Sequence, residues 1–400
     1  MKKYLVIALA LTAALNIAAQ GANSGMGGDD SRYQSLAERI AKVEKKNDVF
    51  NVFIDYTAAA SASEKEGTWD TRFANKELRL EVKGNLTDRI FYRMRHRLNR
   101  SNVAMGQDNF ARATDMMLVG YNFSDKWMVI GGKTAQIWGG YEYDENPMFI
   151  YQYSDMLDYM DIFLAGAIVS FKPVPSQEFA LEVSDAENGS LTETYGEGAV
   201  AVGRTGKCKP LQKSHHPLTY IANWNGNFFD SRLQTRWSYG LITLDKSHYA
   251  HMVFLGQKLN LPRLQCYLDY MRADQQLDRL GIASADLMGS FLPEAENARF
   301  TDVLYNSLLV KANWQFAPKW NLMLKGMTDW ASVKQVEPYK NYRTAYGYLA
   351  SLEYYPDVTQ NFRVFLAYIG KKVDFTSKCG LKDYNTNRIE LGFMYRIKCY

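Results

Sequence analysis

Arginines recur with one parity along residues 89–97, RIFYRMRHR, and this spacing is the first sign of chemistry in the chain. A guanidinium group is permanently charged and offers several N–H donors to an anion or a carboxylate. Successive side chains of a strand point to opposite faces, so a strand here would carry Arg89, Arg93, Arg95 and Arg97 on one face. The other face would be apolar, with Ile90, Tyr92, Met94 and Leu98. The charged face must contact water, either outside a globule or inside a tube.

A second charged segment, residues 137–163, concentrates carboxylates: Glu142, Asp144, Glu145, Asp155, Asp158 and Asp161. Gly139 and Gly140 permit a sharp departure from a preceding strand, and the second half of the segment has helical spacing. If the sheet closes into a tube, this loop can fold inward and narrow the lumen opposite the arginines. Facing carboxylates and guanidiniums would then set up a transverse field that screens solutes by charge and dipole. The alternative is an ordinary solvated extracellular loop.

The histidines give no comparable signal for catalysis. His215 and His216 are adjacent in a lysine-rich segment and lack the carboxylate partner that would favour a metal site. His248 and His251 flank a strand start and have no nucleophile partner in the sequence. The segment GAVAVGRTGK lacks the spacing of a phosphate-binding loop. The sequence therefore predicts no enzyme, no metal site and no cofactor.

From Val49 onward, segments of about ten residues alternate polar and apolar side chains. The last one, RIELGFMYRIK, is the most regular, whereas TDMMLVGYNF and HYAHMVFLGQ alternate poorly and their faces are not assigned. Short turns are predicted at 84–88, 122–127, 173–177, 226–231, 259–263, 317–321 and 356–361. Longer stretches lie between them, at 100–112, 138–163, 187–216, 277–299 and 376–387. Short turns that alternate with longer loops are typical of an outer-membrane barrel.

The N-terminus predicts export. A basic start and an apolar run make residues 1–19 a signal peptide; a membrane anchor is the alternative, but the run is short for a span. Residues 20–48 form a flexible leader and a short amphipathic helix in which Leu36, Ile40 and Val43 share a face. This helix either associates with copies of itself as a coiled coil or docks beneath the next domain.

These patterns predict an all-β protein, in which residues 49–400 form a transmembrane antiparallel β-barrel of about 16 strands behind a short periplasmic helix. Closure places the apolar faces against lipid and the charged faces in water, and it leaves no unsatisfied sheet edge. An aromatic content of 14% agrees with girdles at the two membrane interfaces. The rival fold is a secreted, soluble β-sandwich or solenoid. Formal net charge falls from +4 to +2 once Lys2 and Lys3 are removed, and nothing supports nucleic-acid binding.

The chain resembles the phosphate-selective porin O and P family. The resemblance is carried by the signal peptide, the helix SLAERIAKVEKK, the strand WMVIGGKTAQIWGG, and the segments YEYDENP and YQYSDMLDYMD. It implies a sixteen-stranded barrel in the bacterial outer membrane, a homotrimer, and a third loop that constricts the pore. It also implies a basic pore lining at the matching positions, Arg79, Arg93, Arg95, Arg97 and Lys133. The acidic cluster and the nearly neutral net charge of the mature chain are departures from the family pattern, and both argue against selectivity for anions.

Taken together, the sequence predicts a passive porin for small polar or charged solutes, with the acidic loop 138–163 facing a basic wall. Its expected partners are outer-membrane lipid, two further copies of the chain and the solutes themselves. The alternative is a barrel plugged by its loops that serves as an adhesin or structural surface protein. Whether Cys208 and Cys379 pair is left open, with unpaired thiols favoured.

Overall fold

The computed structural model describes residues 49–292, 296–356 and 362–400. The predicted signal peptide, the flexible leader and the amphipathic helix lie outside these ranges. None of the helices in the described ranges has the length and apolar character that a membrane span requires.

Sixteen strands form one closed antiparallel barrel, as the sequence predicts. The first half contains β1 Asn51–Lys65, β2 Thr68–Asn85, β3 Ile90–Arg97, β4 Thr114–Asn122, β5 Trp127–Ala135, β6 Phe163–Val174 and β7 Gln177–Asp185. The second half contains β10 Leu218–Phe228, β11 Leu233–Thr243, β12 Tyr249–Leu261, β13 Leu264–Leu277, β14 Ala298–Ala317, β15 Trp320–Val333, β16 Arg343–Tyr354, β17 Phe362–Phe375 and β18 Tyr384–Lys398. β7 pairs with β10, and β1 pairs with both β2 and β18, which closes the sheet.

The remaining elements belong to the connections. β8 Val200–Val202 and β9 Cys208–Pro210 form a small sheet with the start of β14. The described ranges contain four helices, α1 Tyr141–Asp144, α2 Asp155–Asp158, α3 Leu191–Tyr195 and α4 Ile282–Phe291. Three single 3₁₀ turns lie at Pro147–Phe149, Glu337–Tyr339 and Ser377–Cys379.

The two ends of the barrel differ in the length of their connections. Six short turns lie at one end, at 86–89, 123–126, 175–176, 229–232, 262–263 and 318–319. The connection from β16 to β17 is also at this end, and most of it lies outside the described ranges. The predicted turns coincide with these within a few residues. The other end carries the long connections, but it also has four of nine residues or fewer, at 66–67, 244–248, 334–342 and 376–383. The sequence did not reveal the first three, and the fourth is shorter than the predicted stretch 376–387. We call them the short-turn end and the long-loop end.

Alternation along each strand decides which side chain faces the lumen. In β18, the carboxylate of Glu390 is buried inside the barrel, while Ile389 and Leu391 are exposed on the outer face. Exposed aromatic side chains collect near the short turns, where Trp320 contacts both Phe316 and Tyr354. The outer surface therefore has the apolar band and one of the aromatic girdles of a membrane barrel.

The two segments that alternate poorly have separate physical causes. In β4, the register shifts between Arg95 and His96 on the neighbouring strand, and Asp115 is the extra residue of this β-bulge. The bulge turns Asp115 toward the lumen, next to an inward-facing Met116. In β12, the inward residues Met252 and Phe254 are apolar because a loop packs on them.

Candidate functional site

The connection from β5 to β6, residues 136–162, lies inside the barrel. Trp138 stacks on Phe254 of the wall with ring centroids 5.1 Å apart. A Cβ atom on Gly139 would lie 2.7 Å from the carbonyl oxygen of Arg236, so only glycine allows this approach. Gly140 adopts a φ of 90°, which also favours glycine. The paired glycines thus turn the chain inward and let it touch the wall.

Carboxylates of the barrel wall accept hydrogen bonds from the backbone of this inward loop. Glu182 accepts from the N–H of Ile137 at 2.7 Å. Asp269 accepts from the N–H groups of both Tyr141 and Glu142, each at 2.7 Å. These bonds satisfy backbone donors that an inward excursion would otherwise leave buried and unpaired.

Four of the six predicted loop carboxylates are bound to basic side chains of the wall between β11 and β17. Asp155 binds the guanidinium of Arg343 at 2.6 Å and also the ammonium of Lys371. The other three pairs are Glu142–Lys325, Asp144–Arg236 and Glu145–Lys311. The structure therefore brings these four carboxylates to a basic wall, but not to the arginine row of β2 and β3.

The other two predicted carboxylates, Asp158 and Asp161, are exposed. Both line a cavity of about 780 Å³ between the inward loop and the wall formed by β2 to β5. The inward loop thus has an anchored face and a face that contacts the open lumen.

The predicted basic residues also divide into two groups. Arg79, Arg97 and Lys133 line the 780 Å³ cavity. Arg97 binds Asp115 at 2.7 Å, Arg79 lies 3.8 Å from the same carboxylate, and Lys133 binds Asp108 at 2.7 Å.

Arg93 and Arg95 do not belong to the residues that line this cavity. Arg93 binds Glu81 at 2.6 Å, and Arg95 binds Asp115 at 3.0 Å. Arg79 on β2 and Arg93, Arg95 and Arg97 on β3 therefore each have a carboxylate partner. Arg89, which shares the parity of the row, lies in the turn 86–89 at the short-turn end.

A second cavity of about 230 Å³ adjoins the first. The two share four lining residues, Glu77, Pro147, Tyr153 and Asp158. Glu77 belongs to β2 and the other three belong to the inward loop. These four residues lie where the two cavities adjoin, and we call them the eyelet.

Two carboxyls of the inward loop titrate differently. Burial raises the pKa of Asp155, but the adjacent Arg343 and Lys371 lower it more, so its pKa lies below the ordinary value. Partial loss of hydration raises the pKa of Asp158, and the nearby Asp155 adds to the rise against the opposing effect of Lys371. The anchoring carboxyl therefore holds its charge to lower pH than the carboxyl of the eyelet.

Several residues of this site escaped the sequence analysis. They are the wall partners Arg236, Lys311, Lys325, Arg343 and Lys371, the backbone acceptors Glu182 and Asp269, and the bulge residue Asp115. Strand parity places most of them in the lumen, but parity does not say which of them meet the loop. The cysteines Cys208, Cys266, Cys379 and Cys399 are all free thiols in the structure.

Comparison with known proteins adds a family and a set of similar folds. The family described as phosphate-selective porin O and P matches residues 49–397. The outer membrane channel DcaP of Acinetobacter baumannii aligns with a TM-score of 0.57 at 10% identity, over 89% of this chain and 100% of that one. An anion-selective porin from Comamonas acidovorans gives 0.55 at 7% identity, over 87% and 99% of the two chains. No curated protein sequence is significantly similar to the chain.

A third similar structure is OprB of Pseudomonas putida, with a TM-score of 0.55 at 10% identity over 88% of this chain and 94% of that one. At such identities the similarity concerns the barrel fold and not the solutes that these proteins carry.

Proposed function

The chain belongs to the phosphate-selective porin O and P family and is a porin of the bacterial outer membrane, and from this premise we propose that it is a passive channel of mixed charge preference. Small polar and charged solutes pass between the exposed face of the inward loop and the wall of β2 to β5. The observation that carries the proposal is the adjacency of the two cavities at the eyelet.

A fixed loop supports a permanently open path. The inward loop is bound by ion pairs, by backbone hydrogen bonds to Glu182 and Asp269, and by packing of Trp138 on the wall. Breaking a buried ion pair from one side costs about 3–5 kcal/mol. With several such anchors, the loop narrows the lumen without closing it.

The pairing of charges supports a mixed preference rather than selectivity for phosphate. A row of free guanidiniums would attract anions, but Arg79, Arg93, Arg95 and Arg97 each have a carboxylate within 4 Å. The carboxylates Asp158 and Asp161 contact the same cavity as Arg79 and Arg97. A solute therefore meets both signs of charge.

We also propose that the chain forms a homotrimer. An unpaired edge of one strand, β2, supports this assembly. β3 pairs only with residues 79–85 of β2, and within the described ranges no strand pairs with that edge of residues 68–77. Trp69 and Phe73 lie on this segment, and Phe73 is 93% exposed. An unpaired edge with a bare aromatic side chain is a surface on which another chain adds. We assign it to a second copy.

Planar-bilayer recording tests the channel. The purified protein should insert with stepwise conductance, and reversal potentials under a salt gradient should show only a weak ion preference. Phosphate should permeate no better than other anions of its size. A folded barrel that never conducts would refute the proposal, and strong block of chloride current by phosphate would refute the mixed preference.

A further inference from the structure

The 780 Å³ cavity is lined by some charged side chains that have an ionic partner and by others that have none in the described part of the chain. Several of its charged residues are neutralised by a neighbour, with an arginine Nε and a carboxylate oxygen 2.7 Å apart in Arg79–Glu77, Arg97–Asp115 and Arg279–Glu187. Glu193 is occupied too, since its carboxylate accepts the N–H groups of Gly106 at 2.9 Å and Ser190 at 2.6 Å. The three pairs are electrically neutral, whereas Glu193 remains an anion near Arg112.

Besides Glu193, five lining charges have no ion pair with any residue in the described part of the chain: Arg100, Arg112, Arg299, Asp158 and Asp161. Arg100 and Arg112 are exposed on the connection 98–113 between β3 and β4. The Nε of Arg299 is buried without a hydrogen-bond partner, and its guanidinium lies 5.9 Å from the ring centre of Tyr195. The cations and the anions therefore come from different segments that border one cavity.

We propose that this cavity binds small zwitterions, with the solute carboxylate at Arg100 and Arg112 and the solute ammonium at Asp158 and Asp161. This inference rests on the proposed channel and names the class of solute that it favours.

Opposed charges favour a dipolar solute for a simple reason. A plain anion gains attraction from the arginines but is repelled by the two aspartates, and a plain cation meets the reverse. A zwitterion that spans the cavity gains from both walls and is repelled by neither. The cavity is large enough for such a solute, because pockets of about 300–1,000 Å³ hold drug-sized ligands.

The expected preference is modest, since exposed ion pairs are weak. That is sufficient for a several-fold difference in entry rate, and weak binding is what a channel needs to release its solute at the other side.

Entry into liposomes containing the purified full-length barrel tests the proposal. The probes are diglycine, its anionic N-acetyl form, its cationic amide and an uncharged pentose. We expect diglycine to enter several-fold faster than both singly charged forms. Entry rates that simply rank by net charge, or that are equal for the three peptides, would overturn the inference while leaving the channel intact. If the pentose does not enter either, the proposed channel itself fails and the inference fails with it.

Charge-removing variants test each wall separately. Asp158→Asn with Asp161→Asn should abolish the advantage of diglycine over the N-acetyl form, because the attraction of the ammonium and the repulsion of anions are both lost. Arg100→Gln with Arg112→Gln should abolish its advantage over the amide. Lys340→Gln is the control, since Lys340 is an exposed charge of the connection 334–342 that does not line the cavity. An unchanged preference in both double variants would overturn the assignment.

Discussion

The carboxylates of the inward loop occur in two environments, and this difference decides what each one does. Glu142, Glu145 and Asp155 are buried against cations of the wall and hold the loop in place. Asp158 and Asp161 remain exposed to the cavity and act on solutes. At the level of sequence all of them are acidic residues of one segment, so composition alone does not separate anchor from filter.

Asp158 should set the charge preference of the eyelet. In the Asp158→Asn variant we expect the reversal potential under a salt gradient to shift toward anions. One unit charge about 6 Å from a permeating ion is worth roughly 0.7 kcal/mol in water, which corresponds to about a threefold change in relative permeability. Asp125→Asn is the matched control, since Asp125 lies in the turn 123–126 away from the cavities. If both variants behave like the unmodified protein, Asp158 does not border the ion path.

Acidification should act in two stages. Asp158, whose pKa is raised, loses its charge before Asp155 does, so cation permeability should fall while the ion pairs of Asp155 are intact. Asp155 has a lowered pKa, so the stability that its ion pairs contribute is complete above the ordinary value of about 3.9 and disappears only as the pH falls through that lower pKa.

Recordings between pH 7 and pH 3 check this order. The shift in reversal potential should precede any rise in current noise, and it should be missing from Asp158→Asn. Noise that rises before the selectivity changes would contradict the assignment of anchor and filter.

At the scale of elements, the inward loop fits because the wall leaves room for it. Gly139 lies against the backbone of Arg236, and Gly240 leaves the space in which Trp138 packs. A Cβ on Gly240 would come within 2.4 Å of the Trp138 ring. Gly240 belongs to β11 and Gly139 to the inward loop, and each makes room for the other segment. This fit exists only once the loop and the strand have folded against each other.

Gly139→Ala should displace the inward loop, because the new methyl group meets a backbone carbonyl that cannot move away. We expect a larger and noisier single-channel conductance. Heat-dependent migration on gels should show that the barrel is still folded. Gly131→Ala is the control, since a Cβ there has nothing within 4 Å. An equal conductance in the two variants would mean that the contact at Gly139 does not position the loop.

The strands were predictable from the sequence where one face contacts lipid and the other contacts water, because polar and apolar residues then alternate. Regular alternation gave the sixteen strands and six of the seven predicted short turns, and the seventh, at 356–361, lies almost wholly outside the described residues. It failed in β4, where a bulge at Asp115 puts two successive residues inside, and in β12, where loop packing makes inward residues apolar. Both failures occur where tertiary contacts, rather than lipid and water, choose the residue type.

At the scale of the whole molecule, the partners of the loop carboxylates could not be predicted. Asp155 and Lys371 are 216 positions apart, and nothing local to either residue indicates the other. Closure of the barrel brings distant strands to opposite sides of one lumen, so these pairs follow from the complete topology. The arginine row was visible in the sequence, but its neutralisation by Asp115 and Glu81 was not.

The assembly prediction also belongs to this scale. Phe73→Asp should lower the fraction of trimer in mild detergent, because it places a charge on the aromatic surface that we assign to a second copy. Burial of a phenylalanine side chain contributes about 1.5–3 kcal/mol, enough to reduce association roughly tenfold or more. Phe229→Asp changes another strongly exposed aromatic residue, at the short-turn end, and should leave the trimer intact. Crosslinking and native mass spectrometry distinguish these results, and a trimer that tolerates Phe73→Asp would rule out this surface.

The most direct test of the account is chemical modification of the eyelet during single-channel recording. Asp158→Cys, placed in a background without the four native cysteines, should be reached by a bulky charged thiol reagent from the aqueous phase, and the open-channel current should fall at once. Leu391→Cys, on the lipid-facing side of β18, should be shielded from this reagent, and the current should stay unchanged. A current that persists after complete labelling at position 158 would mean that ions do not pass between the inward loop and the wall of β2 to β5.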